Sequence, residues 1–159
     1  AHLDFNQIGV HDYAQLFDAC SRLGLHDETT RQEVYRRLVF NVTAANCDDH
    51  TKNTSFLLPQ GGSWQLTPAY DLTHAYSPDS RWNRQHLMAV NGKTSDITYD
   101  DLDQVADRHG VPHARAILTE VLAATDNWPQ FAHQAGISAS TTAPICHPLA
   151  LLCIPPRRR

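Results

Sequence analysis

The hydrophobic pattern of this chain changes its period once, near its middle. Residues 27–45 repeat apolar side chains at helical spacing behind good capping residues, which predicts a helix. Residues 54–58 and 63–67 are short, apolar and β-prone, and Pro-Gln-Gly-Gly separates them, which predicts a β-hairpin. A helix that leads into a hairpin confines the segment between them, residues 46–53, to the open end of that hairpin.

The rest of the chain is predicted to be mostly helical, so the fold class is α+β with more helix than strand. Residues 73–85 show no period and are interpreted as a long loop. A short apolar run at 86–90 ends at the turn signal Asn91-Gly92. The further helices are predicted at 11–23, 98–109, 112–122 and 128–134.

Composition indicates one globular domain. The chain has 159 residues, of which 42% are hydrophobic and 19% charged, and its formal net charge is −4. That charge gives no overall basic field for nucleic acid or a membrane surface. The start of the chain lacks the pattern of a signal peptide, and the apolar stretch 149–154 is too short to span a bilayer.

Cysteine usage favours a reducing compartment. No pair of cysteines has Cys-x-x-Cys spacing, and there are too few of them for a disulfide scaffold of this size. We therefore expect reduced thiols and a cytoplasmic protein. The cysteines are Cys20, Cys47, Cys146 and Cys153.

Polar residues flank both ends of the predicted hairpin. Asp48, Asp49 and Asn53 precede it, and Asp71 follows it closely. Because a hairpin brings its two ends together, these oxygen-bearing side chains should converge. Carboxylate and amide oxygens suit Mg²⁺, and a carboxylate that is not bound to metal can accept the proton of a hydroxyl nucleophile.

Spacing distinguishes the two adjacent acids. Protein kinases carry a catalytic Asp followed five positions later by a metal-binding Asn, and a second metal-binding Asp comes later in the chain. Asn53 lies five positions after Asp48, and Asp71 arrives across the hairpin. Asp49 misses this interval by one and is interpreted as a bystander at a solvated helix terminus.

The segments Asp-Asp-His-Thr-Lys-Asn and Gly-Gly-Ser-Trp-Gln-Leu-Thr-Pro-Ala-Tyr-Asp-Leu resemble the C-terminal domain of HipA-like serine/threonine kinases, the toxins of bacterial toxin–antitoxin modules. The resemblance implies ATP and Mg²⁺ as cofactors. By resemblance, Asp48 is the catalytic base, and Asn53 and Asp71 hold the metal. His50 and Lys52 fall on the same motif, which implies a role in supporting the loop and in contacting the nucleotide phosphates.

The resemblance covers residues 1–137 and implies the C-terminal lobe of a kinase-like fold, whose hairpin carries the catalytic elements. The remaining residues, 138–159, are rich in proline and are expected to form a poorly ordered or atypical tail with at most one helical turn. The implied partners are a small HipB-like DNA-binding antitoxin, with DNA contacted only indirectly, and a protein substrate such as glutamyl-tRNA synthetase. No membrane partner is expected.

A kinase also needs a phosphate-covering loop and a lysine that grips the nucleotide. The chain has no Gly-x-Gly-x-x-Gly, and its only lysines are Lys52, in the candidate loop, and Lys93, after the catalytic elements. Its first residue is Ala. We therefore expect a piece of a larger protein that lacks the N-terminal lobe and has little or no kinase activity alone.

Two other functions remain open. Small-molecule and lipid kinases use similar Asp-x-x-x-x-Asn loops followed by a second metal-binding Asp. A non-catalytic lobe could instead bind a DNA-binding antitoxin and act in transcriptional repression. The Thr-Pro-Ala-Tyr-Asp-Leu context favours the HipA-like family over the small-molecule and lipid kinases, whereas the non-catalytic module stays open.

Overall fold

A computed structural model describes residues 7–151, with side chains described for 7–145. Within this range the fold is a mostly helical α+β arrangement, as predicted. No helix in it has the length and apolar character that crossing a bilayer requires. The helices are α1 Tyr13–Arg22, α2 Glu28–Thr43, α3 Tyr99–Arg108, α4 Ala114–Asp126, α5 Trp128–Gln134 and α6 Ala139–Leu151. The strands are β1 His11–Asp12, β2 Phe56–Leu57, β3 Gln65–Leu66 and β4 Met88–Ala89.

Helix α2 forms the centre of the hydrophobic core and packs against α1 and α4. Asp27 caps its N-terminus by accepting a hydrogen bond from the Thr30 amide at 2.8 Å. One face of α2 is fully buried, and each such side chain contributes about 2 kcal/mol through the apolar surface removed from water. The residues of that face are Val34, Tyr35, Leu38, Val39 and Val42.

A short parallel pair, β1 with β4, joins the start of the chain to the segment after the long loop. Helix α1 begins at Tyr13 rather than at 11, because His11 and Asp12 are extended and pair with Met88 and Ala89. Asp12 then caps α1 by accepting from the Ala14 amide at 2.8 Å. The predicted Asn91-Gly92 turn follows β4, with φ of 52° and 79°.

The predicted hairpin is present, although its strands are only two residues long each. Phe56 pairs with Leu66 in the antiparallel register. The Thr67 amide donates to the Ser55 carbonyl at 3.1 Å, so the residues that flank the hairpin stay close together. The buried Arg37 of α2 donates to the Thr67 carbonyl at 2.6 Å and thereby fixes the hairpin to the core.

The prediction of at most one helical turn after residue 138 is wrong, because α6 continues from Ala139 to Leu151. Ser138 begins the helix by accepting from the Thr141 and Thr142 amides. Thr142 is buried, and α6 packs against α5, so tertiary contacts outweigh the low helix propensity of the internal proline Pro144. Residues 152–159 lie outside the described residues.

Candidate active site

The C-terminus of helix α2 directs the chain into the candidate catalytic loop. The Asn46 amide donates to the Asn41 carbonyl at 2.9 Å, and the Ala45 amide donates to the Val42 carbonyl at 3.4 Å. This pair of bonds is a Schellman motif, with Ala45 in the left-handed conformation at φ 51°. The motif ends the helix and places Asn46 against its last turn.

A single 3₁₀ turn, Thr51–Asn53, closes the loop that follows. The Asn53 carboxamide nitrogen donates to the Asp48 carbonyl at 2.8 Å, and the His50 amide donates to the same oxygen at 2.9 Å. These bonds fix the main chain of Asp48, which is half-buried. Lys52 lies on the exposed side of the turn.

The segment after the hairpin contacts this loop directly. The Tyr70 hydroxyl donates to the Lys52 carbonyl at 2.6 Å and lies 2.6 Å from the Ser55 hydroxyl. The Asn46 carboxamide donates to the Asp71 carbonyl at 3.2 Å. The segments before and after the hairpin therefore meet at its open end, as predicted.

A small cavity of about 20 Å³ lies where these segments meet. Three of the predicted site residues, His50, Asn53 and Asp71, line it. Asp48 and Lys52 are not among the residues that line it. The Asp48 carbonyl accepts hydrogen bonds from Asn53 and His50, which do line it, and the Lys52 carbonyl accepts one from Tyr70. The volume fits one water or one metal ion but no nucleotide, so a bound nucleotide would have to lie outside it.

Asn53 and Asp71 carry carboxamide and carboxylate oxygens, which are of the type that Mg²⁺ binds. Because the Asn53 side-chain nitrogen donates to the Asp48 carbonyl, the side-chain oxygen of Asn53 is the atom that could bind a cation. Within the described residues, no side chain donates to the Asp71 carboxylate, and no group of three His, Cys, Asp or Glu side chains forms a metal cluster. Mg²⁺ binds typically through one or two carboxylates together with phosphate and water oxygens, so such a cluster is not required.

The interpretation of Asp49 as a solvated bystander is wrong. Its side chain is fully buried, and its carboxylate accepts hydrogen bonds from Tyr13, His86 and the amides of Leu87 and Met88, at 3.1, 3.0, 2.8 and 3.4 Å. These donors occupy the roughly four lone-pair sites of a carboxylate. Since a carboxylate only accepts, the His86 proton lies on Nδ1. Asp49 therefore anchors the loop to α1 and to the start of β4.

Sequence reasoning missed four polar residues that support this loop. The sequence did contain a signal for them, because each is a polar residue inside or beside an otherwise apolar segment. In the structure all four are buried around Asp49 and the end of α2. They are Tyr13, Asn41, Asn46 and His86.

The fold and this site define a mostly helical α+β domain in which a loop after a buried helix and the end of a hairpin share one polar cavity. The chain belongs to the HipA-like C-terminal domain family, whose profile matches residues 1–128. No curated protein matches the chain.

A solved structure shares the fold. It is the complex of the Shewanella oneidensis MR-1 toxin–antitoxin system HipA and HipB with operator DNA. The TM-score is 0.62 at 22% sequence identity, and the match covers 89% of this chain. The chain spans about a third, 34%, of the length of that matched chain.

Proposed function

We propose that this chain is the C-terminal catalytic part of a serine/threonine-protein kinase that acts as the toxin of a toxin–antitoxin system. The observation that carries the proposal is the shared cavity of Asn53 and Asp71, which lies beside a loop whose main chain is fixed at Asp48. Membership of the HipA-like C-terminal domain family supports it.

In the proposed reaction the γ-phosphoryl group of ATP passes to a protein hydroxyl. The oxygen of the accepting serine or threonine forms a bond to the γ-phosphorus while the bond to the ADP oxygen breaks. Asp48 orients that hydroxyl and accepts its proton. The bonds from Asn53 and His50 to the Asp48 carbonyl hold the main chain of the base in place before the substrate arrives.

Asn53 and Asp71 would hold Mg²⁺ through their side-chain oxygens. When bound, the ion supplies charge neutralisation on the phosphate oxygens. His50 lines the same cavity and supports the loop. Lys52 lies on the exposed side of the loop, where its side chain would contact a nucleotide phosphate. Such fixed groups act mainly by positioning and charge stabilisation.

The nucleotide-gripping lysine and the phosphate-covering loop of kinases have no counterpart among the residues of this sequence. The chain also spans only about a third, 34%, of the matched HipA chain. We therefore propose that a longer polypeptide supplies these parts and that the 159-residue chain alone transfers phosphate slowly or not at all.

Single-turnover phosphotransfer by the longer polypeptide tests the metal assignment. Asp71→Asn and Asn53→Ala should lower the rate on the order of 100-fold and raise the Mg²⁺ concentration that is needed. Asp126→Asn, an exposed change at the end of α4, is the matched control and should retain the rate. Unchanged rates and Mg²⁺ dependence in both site variants would refute the proposed metal site.

A second candidate function is antitoxin binding without catalysis. The structure that shares this fold contains HipA together with HipB and operator DNA. A lobe of this kind would bind a small DNA-binding antitoxin and act in repression. Titration of a HipB-like protein by calorimetry tests binding, and retention of that binding by an Asp48→Asn variant would separate it from phosphotransfer.

A further inference from the structure

A chain of side-chain hydrogen bonds runs through the interior from Asp49 to Asp71. The Tyr13 hydroxyl donates to the Asp49 carboxylate at 3.1 Å and accepts from the Asn41 nitrogen at 2.8 Å. The Asn41 oxygen accepts from the Asn46 nitrogen at 2.9 Å, and that nitrogen also donates to the Asp71 carbonyl at 3.2 Å. The chain thus connects the residue next to Asp48 with the main chain of Asp71.

The direction of every bond in this chain is fixed by its two ends. A carboxylate and a carbonyl oxygen can only accept, so Tyr13 must donate to Asp49 and Asn46 must donate to Asp71. Burial, reinforced by the neighbouring Asp49 charge, raises the pKa of Tyr13 well above its usual value and keeps the proton on the hydroxyl. The Asn46 nitrogen therefore faces both Asn41 and Asp71, and its side-chain oxygen accepts no hydrogen bond from the described residues.

The backbone at Asp71 needs such support. Asp71 has φ 55°, in the left-handed region that side chains other than glycine seldom occupy. The segment that follows is tied to the end of α2 by two further bonds. His74 Nδ1 lies 3.0 Å from the Ala44 carbonyl, and the Ala75 amide donates to the Ala45 carbonyl at 3.1 Å.

Asn46 is suited to this role because it is buried and bonded to the end of α2. It is 1% exposed, and both its main-chain and its side-chain nitrogen bond to Asn41 on the last turn of α2. It also lines the cavity that Asn53 and Asp71 share. A rotation of Asp71 would break the bond to Asn46 and would turn the carboxylate relative to that cavity.

We propose that Asn46 is a positioning residue, which holds the main chain of Asp71 so that its carboxylate faces a divalent cation in the shared cavity. The inference rests on the proposed function, because it takes Asp71 and Asn53 as the metal-binding pair. Through Asn41, Tyr13 and Asp49 the same hydrogen bonds couple the placement of Asp71 to that of the Asp48 loop.

The test uses the 159-residue chain and Mn²⁺ alone as the probe. Amide resonances near a bound Mn²⁺ broaden in NMR spectra, so a titration that follows Asn53 and Asp71 reports the occupancy of their shared cavity and requires no enzymatic activity. In the wild-type chain both resonances should broaden together. In Asn46→Ala the Mn²⁺ concentration that broadens both resonances should rise roughly 10- to 100-fold, as for other groups that orient metal ligands.

The matched control is Asn127→Ala, at a position outside the cavity. The Asn127 side chain also donates to a main-chain carbonyl, that of Ala123, at 3.0 Å. It should leave both titrations unchanged. A second measurement keeps the test valid if Asn46→Ala does not fold. It is the scalar coupling across the hydrogen bond between the Asn46 side-chain nitrogen and the Asp71 carbonyl carbon, measured in the wild-type chain.

The outcomes separate the two proposals. If both resonances broaden in the wild type and Asn46→Ala leaves the required Mn²⁺ concentration unchanged, the role of Asn46 is overturned but the metal site is not. A missing coupling between Asn46 and Asp71 does the same. Absence of broadening at both residues in the wild type overturns the metal site and, with it, this inference.

Discussion

The Asp49 carboxylate accepts a hydrogen bond from His86 Nδ1 at 3.0 Å, and both side chains are almost completely removed from solvent, with 0% and 6% exposed. The bond joins the loop after α2 to the chain immediately before β4. Asp48, the adjacent residue, is half-buried and makes its described hydrogen bonds through its carbonyl. Two adjacent aspartates therefore have different tasks, one in stability and one, as we propose, in chemistry.

The first prediction concerns stability at these two positions. Asp49→Asn should lower the free energy of unfolding by about 3 kcal/mol, because an amide nitrogen would face donors where the carboxylate accepted four bonds. Asp48→Asn is the matched control and should change it by about 0.5 kcal/mol or less. Urea denaturation of both variants measures the difference. Equal losses would contradict the assignment of Asp49 as the buried anchor.

The second prediction concerns Tyr13. Tyr13→Phe keeps the ring in the core and removes only the hydroxyl that bonds to Asp49 and Asn41. Both partners stay buried, so the free energy of unfolding should fall by about 1–3 kcal/mol. Tyr99→Phe, at a half-buried tyrosine on α3, provides the comparison and should cost much less. Denaturation curves in which Tyr13→Phe matches the wild type would rule out this role for the hydroxyl.

The third prediction concerns the stability of the α3 N-terminus in acid. Burial alone would raise the pKa of Asp101, but hydrogen bonds from Lys93, Thr98 and Asn91 outweigh it and lower the pKa from 3.8 to about 2. Because the folded pKa is below the unfolded one, the stabilisation is complete above the unfolded pKa and is lost as the pH falls through about 2. It amounts to about 2 kcal/mol.

The Asp101→Asn variant provides the check on that stabilisation. Its free energy of unfolding should be lower than that of the wild type at pH 6, and the difference should shrink as the pH falls from 4 towards 2. The measurement is urea denaturation across this range, at constant ionic strength. A difference that stays constant with pH would show that the Asp101 charge contributes nothing.

The fourth prediction concerns the thiols. Burial raises the pKa of Cys20 to about 11, and burial together with the Asp49 charge raises the pKa of Cys47 to about 12. Both are free and buried. At pH 8 they should react with a thiol reagent much more slowly in the folded chain than in denaturant, because the thiolate is the reactive form. Peptide mass spectrometry resolves each cysteine, and fast labelling of either in the folded chain would contradict this.

The sequence predicted the elements whose signal is local. Helix α2 and the hairpin follow from a sustained period and from turn residues, and the convergence of Asn53 and Asp71 follows from the hairpin. The pairing of β1 with β4 was missed because each strand has two residues and the strands lie far apart in the sequence. Tertiary contacts, not propensity, define such strands.

Burial of individual polar residues could not be predicted in the same way. Asp48 and Asp49 are chemically identical, and their surroundings differ because Tyr13 and His86, from distant elements, surround only one of them. Helix α6 was missed because Pro144 argued against it, whereas packing against α5 supports it. In both cases the deciding contacts are remote in sequence.

We propose that Asp48 is the catalytic base of a protein kinase. The most direct measurement is the rate of phosphate transfer from ATP to protein serine or threonine by the longer polypeptide, in Asp48→Asn and in Asp126→Asn. We expect Asp48→Asn to fold normally and to lose on the order of 10²- to 10⁴-fold in rate, while Asp126→Asn retains the wild-type rate. A folded Asp48→Asn protein with the wild-type rate would contradict the role of Asp48 as the catalytic base.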